Sequence, residues 1–191
     1  DLSELLDMVV QVKVHSNKRA LSDTSIFVAD KEWMHSESCT PSYITLEDEY
    51  PVDDVEFSVY TETPELLEEI EDAPCKKVYY HSALLKSNCR VTSQPDWGDV
   101  YIYMKGMNTV DPISLLQYIV SFRDECHFHE EICEAIYKRL MDTINPDELC
   151  VMCLYARRGG IDINPERASH EKLLHHTLSQ VDVPHIKTPK Q

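Results

Sequence analysis

The sequence predicts an α+β domain over its second half, with two helices on one side of an antiparallel sheet. Three patterns carry that expectation. Asp99–Lys105 alternates, setting Val100, Ile102 and Met104 opposite Tyr101, Tyr103 and Lys105, the period of a strand with two distinct faces. Asp111-Pro112 is a capping side chain followed by proline at the first helical position, and Ile113, Leu116 and Val120 then recur at helical spacing to about Phe122. Ile132, Ala135, Ile136 and Leu140 repeat that spacing from His129 to Ile144, with Pro146 just beyond. Strand, helix, helix, strand is the order of an α+β layer.

The remaining elements follow in chain order. Met8–Val14 reads as a strand with Val10, Val12 and Val14 on one face, and Val55, Phe57 and Val59 repeat the period of two. Residues 61–72 are strongly acidic and bracketed by Pro64 and Pro74, so they read as a solvated connector or short helix and a boundary between two modules. Lys76–His81 is a strand leading into a loop over 84–98, because Asn88, Ser93 and Pro95 are turn formers. Glu148–Ala156 is apolar on both faces, as a central strand is, and the last ten residues form a loose tail. The expected division is 1–72 and 73–191.

Length and charge exclude several functions. With 191 residues the chain makes one substantial domain or one and a half small ones. No apolar run nears the roughly 18 residues of a membrane span, so no membrane partner is expected. The chain starts at Asp1 with no signal-peptide pattern, as a piece of a longer protein would. Its net charge of −16 repels phosphate backbones and disfavours nucleic acid as a direct partner, leaving room for one locally basic pocket. Seven cysteines at irregular spacing suit a reducing compartment, the cytoplasm.

Four constellations bear on chemistry. Cys89 stands seven residues before Asp96, a soft nucleophile near a group that gives and takes protons. Cys150-Val-Met-Cys153 has zinc-knuckle spacing, but it lies in a strand-like run where positions i and i+3 face apart; packing cysteines are expected there, and no metal. The crowd of Cys126, His127, His129 and Cys133 is the other metal candidate. Arg157-Arg158-Gly159-Gly160 follows a strand and offers guanidinium groups and open backbone amides to an anion, or else a solvated turn. Glu130, beside His129 at a helix start, offers two acceptors to a guanine-like edge, or simply favours the helix dipole.

Together the segments resemble one family, the nitrile reductases that convert 7-cyano-7-deazaguanine to its 7-aminomethyl form with NADPH for queuosine tRNA modification. The matching strings are Leu-Leu-Lys-Ser-Asn-Cys (84–89), Gln-Pro-Asp-Trp-Gly (94–98), Val-Ser-Phe-Arg (120–123), Phe-His-Glu (128–130) and Arg-Arg-Gly-Gly-Ile-Asp-Ile-Asn-Pro (157–165), in the family's order. The resemblance spans about residues 76–167. It implies the tunnelling fold, with a complete C-terminal module, a partial N-terminal one, and assembly as a homodimer or higher homo-oligomer. It also implies that Cys89 attacks the nitrile to form a thioimide and that Asp96 is the acid–base group. His129 and Glu130 fall on the substrate-holding pair, and Arg158 and Gly159 on the cofactor-binding pair. Two NADPH serve each turnover. Lys86 and Arg90 are close enough in sequence to lower the Cys89 pKa.

The family's Glu-Ser-Lys-Ser segment has no counterpart here. Ser36-Glu37-Ser38-Cys39 lacks the lysine, so that role is not carried over. Residues 1–70 look like the later part of an N-terminal module that lacks roughly a hundred residues of its beginning, on a domain-size argument. Two competing readings are a purine- or pterin-binding protein of the same fold, metal-dependent in the manner of a cyclohydrolase, and a non-catalytic module.

Overall fold

The computed structural model describes residues 43–71, 76–174 and 190. In chain order its elements are β1 (Ile44–Thr45), α1 (Leu46–Glu49), β2 (Glu69–Ile70), β3 (Lys76–Cys89), β4 (Pro95–Gly106), β5 (Thr109–Val110), α2 (Pro112–Ser121), β6 (Cys126–His127), α3 (His129–Ile144), β7 (Glu148–Tyr155) and β8 (Glu166–Ala168), with short 3-10 turns between. The strand expected at Met8–Val14, the segment Ser36–Cys39 and most of the expected tail lie outside the described residues.

The main sheet runs β1-β3-β4-β7-β8, antiparallel from β3 to β8. Its outer edge departs from the all-antiparallel expectation. There β1 and β6 each lay two residues parallel to β3, β1 along Tyr80–His81 and β6 along Asn88–Cys89. A strand as long as β3 has edge to spare, and two short segments cover successive parts of it.

Both helices lie on one face, as the sequence predicts. Leu116 and Ile119 of α2 and Ile132 and Ile136 of α3 bury completely against Ile102 and Val151 of the sheet. Each such side chain contributes about 1.5–3 kcal/mol of burial. The Asp111 side chain caps α2, accepting from Ser114 N at 2.8 Å. At its far end α3 stops at Asn145, which takes the left-handed conformation (φ 50°) before Pro146. Cys150 and Cys153 sit in separate clusters on opposite faces of β7, and burial pushes both thiols up.

Two expectations are corrected. Val55, Phe57 and Val59 do alternate in burial with their neighbours, yet this segment forms no strand. It runs extended over α2, where Gln117 Nε2 donates to Glu56 O, and no strand among the described residues lies beside it to supply a ladder. The acidic stretch that follows is likewise tied down, through buried Leu67 and a Glu62–Arg139 ion pair.

The loop expected over 84–98 is mostly hairpin. β3 continues to Cys89 and β4 begins at Pro95, leaving only residues 90–94 to turn. Ser93 N donates to Cys89 O and Cys89 N to Gln94 O, and Ser93 takes a positive φ of 57° to close the turn. Proline is tolerated because it is the first residue of its strand.

One irregularity within β3 sets its chemistry. Pairing runs Ser82↔Val100 and then Leu85↔Gly98, so one extra residue is bulged at 83–84. Up to Ser82 the even-numbered residues share the face of Ile102; after the bulge Leu85, Ser87 and Cys89 take that face. The bulged amides are satisfied by side chains, Ala83 N by Glu47 Oε1 (2.6 Å) and Leu84 N by Ser82 Oγ (3.1 Å). Glu47→Ala strands the first of these, and urea denaturation is expected to show a loss of about 1–3 kcal/mol.

Candidate active site

Residues paired across antiparallel strands share a face. Ser87 pairs with Asp96 and Gly98 with both Leu85 and Tyr155. Cys89, two positions beyond Ser87, therefore joins Asp96 and Tyr155 on the helix side of the hairpin tip. The cysteine is half-buried at the rim, while Asp96 is only 4% exposed.

A carboxylate so enclosed needs partners on both oxygens. Asp96 Oδ1 accepts from Arg158 Nε at 2.7 Å and also from its Nη2. Oδ2 lies 3.2 Å from His129 Nε2, which places a proton on that nitrogen. His129 is itself buried, its ring stacked on that of Tyr155 at 3.9 Å and 6°, and its Nδ1 meets no partner among the described residues. Gly98 makes the stack possible: a Cβ there would come within 3.0 Å of the Tyr155 ring.

Arg158 reaches Asp96 from a tight turn at 157–161. Gly159 and Gly160 both take positive φ (56° and 80°), and Arg158 and Ile161 exchange backbone hydrogen bonds across them. Arg157 points the other way and is held by Asp162 (Nε–Oδ1 2.6 Å, Nη2–Oδ2 3.1 Å). The two arginines are thus divided, one bracing the turn and one serving the site.

The Cys89 thiol is held below its ordinary pKa. The Thr92 hydroxyl contributes most, followed by the backbone N–H groups of Thr92 and Val91 and by the charge of Arg158. Lys86 and Arg90, expected in this role, are turned elsewhere. Lys86 Nζ donates to Arg123 O, and Arg90 pairs with Glu131 and stacks over Phe128.

The structure brings together Cys89, Asp96, His129 and Arg158, which the sequence offers as separate motifs. Glu130 stands exposed on the first turn of α3, and Gly159 is exposed at the turn apex. Two contributors were not singled out from the sequence. Thr92 is an ordinary-looking turn residue, and Tyr155 an ordinary apolar strand position whose only signal is its place just before the double arginine. The second metal candidate disperses. Cys126 is exposed, His127 pairs with Glu125 and Glu131, and Cys133 Sγ donates to Val151 O and Pro165 O in the core. Among the described residues no three His, Cys, Asp or Glu side chains are grouped to hold a metal ion.

A half-buried thiol held below its ordinary pKa thus shares a face with a buried carboxylate that is itself joined to a histidine and an arginine. Residues 95–173 match the family described as QueF-like protein. The chain is similar to proteins named NADPH-dependent 7-cyano-7-deazaguanine reductase. It is 48% identical over 121 residues to that of Polaromonas naphthalenivorans strain CJ2, covering 63% of this chain and 43% of the relative. It is 38% identical over 146 residues to that of Coxiella burnetii strain RSA 331, covering 71% and 51%. The chain thus spans about two fifths to one half of the curated relatives it matches. The crystal structure of the archaeosine synthase QueF-Like in its apo form superposes with a TM-score of 0.42 at 16% identity, covering 54% of this chain and 92% of that one.

Gly98→Ala tests the packing beneath the site. The added methyl must displace the Tyr155 ring by a few tenths of an ångström against His129, so the variant is expected to lose about 1–3 kcal/mol on denaturation and to perturb the His129 ring resonances in NMR spectra.

Proposed function

We propose that the chain carries the catalytic module of an NADPH-dependent 7-cyano-7-deazaguanine reductase of queuosine biosynthesis, at 73–191, preceded by the remaining part of an N-terminal module at 1–72. The observation that carries this reading is the common face of Cys89 and Asp96 at one hairpin tip, with Arg158 near both.

A nitrile carbon is electrophilic but a poor hydride acceptor, and sulfur addition turns it into a better one. As sulfur adds to that carbon the Cys89 thiol proton passes to the Asp96 carboxylate; a C–S bond forms, one C–N π bond breaks, and Asp96 delivers that proton to the nitrogen to give a thioimide. His129, on the far oxygen of Asp96, orients the carboxyl group. NADPH supplies two hydrides in succession, so one nitrile, two NADPH and two protons yield the aminomethyl product and two NADP+. Arg158 and Gly159 would hold the cofactor's phosphate. A Cβ on Gly159 would meet nothing within 4 Å, which leaves the turn open to an anion, and Arg158 keeps part of its side chain exposed. Glu130, exposed one residue beyond His129, suits the guanine edge of the substrate.

On this reading the protein is cytoplasmic, acts on a small 7-deazaguanine without binding nucleic acid directly, and assembles as a homodimer or larger homo-oligomer. No helix among the described residues is long and apolar enough to cross a membrane.

Incubation with the nitrile in the absence of NADPH is expected to add one substrate mass to the Cys89 peptide, and Cys89→Ala to abolish the adduct; an unmodified wild-type peptide contradicts the proposal. Asp96→Ala is expected to lower turnover roughly 10²-fold or more while substrate binding is retained. Undiminished NADPH oxidation by that variant would remove Asp96 from the mechanism.

A further inference from the structure

On the face of the sheet turned away from α2 and α3, the bulge of β3 meets charged groups that the nitrile chemistry does not use. Asp99 is the residue of β4 left opposite the bulge, since pairing passes from Ser82↔Val100 to Leu85↔Gly98. It is buried, and by strand parity it points away from the face of Cys89. His81 shares its side of the sheet, with Nε2 3.4 Å from Asp99 Oδ1 and Nδ1 3.2 Å from Thr45 Oγ1. Lys190 enters the same corner, 107 residues along the chain from Ala83. Its Nζ donates to Ala83 O on β3 and to Gly98 O on β4 (2.7 Å), and stands 3.7 Å from Asp99 Oδ1.

An ammonium group has three protons and no lone pair, and this corner meets it with two carbonyls and a carboxylate. Asp99 Oδ2 and, on the neighbouring α1, Glu47 Oε2 are buried with no partner among the described residues. Burial lowers the Lys190 pKa, and the charges of Asp99 and Glu47 oppose that. Ala83 has its N–H on Glu47 and its C=O on Lys190, so both backbone groups of the bulged residue are answered by charged side chains.

We propose that this corner is a binding site for a primary ammonium ion, filled in this chain by Lys190, and that the bound ammonium bridges β3 to β4 where the bulge interrupts their ladder. Position 190, which falls in a tail expected to be loose, is held against the sheet. The site goes beyond the reductase reading and does not depend on it, yet the two meet in the backbone, because the same bulge sets the face that Cys89 takes.

Lys190→Ala removes the atoms of a propylammonium group, so n-propylammonium chloride is the matching probe. Hydrogen exchange of the full chain is read by mass spectrometry on a peptide covering 80–89, with a peptide from α3 as the control. Lys190→Ala is expected to speed exchange over 80–89 about tenfold or more and to leave α3 unchanged. n-Propylammonium chloride should restore the wild-type rate. Tetramethylammonium chloride at the same ionic strength should not, since it carries the charge without an N–H to donate. Wild-type exchange in the variant, an equal loss of protection in α3, or restoration by both salts or by neither overturns the proposal.

Discussion

A carboxylate almost sealed from water can stay charged only if donors meet both of its oxygens, and at Asp96 those donors come from distant parts of the chain. Arg158 arrives from the turn after β7 and His129 from the first turn of α3. Removing either partner leaves a buried, part-compensated charge, which costs far more than an exposed ion pair ever contributes. The hairpin tip, the helix start and the arginine turn are therefore fixed relative to one another by one side chain. Because that side chain is also the acid–base candidate, the element that orders the site is the element that would react.

The rest of the sheet prepares for this junction. The bulge at 83–84 switches the parity of β3, so that Cys89 falls on the face of Asp96 and not on the opposite one. Glu47 supports the bulge from α1, which ties residues 43–71 to the site through the backbone of β3. Gly98 yields its side-chain volume to Tyr155, and Tyr155 supports the ring of His129. Each of these residues helps to position a group on the face that Cys89 shares.

Much of this was legible in the sequence, and the reasons are specific. The period of Ile132, Ile136 and Leu140 and the proline at 146 fixed α3, because helix burial and termination are local properties. The faces of Cys150 and Cys153 followed from strand parity alone. The strings around Cys89, Asp96, His129 and Arg158 marked the chemistry, but not that Arg158 would sit on Asp96, a contact between residues 62 apart. The segment 84–98 was misjudged because Asn88, Ser93 and Pro95 all favour turns. Only Ser93 lies in the turn, and pairing with β4 overrides the local preference of the other two. Val55–Val59 failed in the opposite sense: its alternation reports one-sided burial, which an extended segment over a helix satisfies as well as a strand does. The bulge left no sequence signal, since one of its amides, Ala83 N, is answered by a glutamate 36 residues away.

Charge sets the scale of these effects. In a chain of net −16, Arg158 is placed where two groups that gain from a positive neighbour, the Asp96 carboxylate and the Cys89 sulfur, are closest to it. The direct measure of that arrangement is a double-mutant cycle on unfolding free energy with Asp96→Asn and Arg158→Met. If Asp96 joins the hairpin to the arginine turn, the two substitutions couple by about 1–2 kcal/mol; if their effects add to within about 0.3 kcal/mol, the junction does not exist as described.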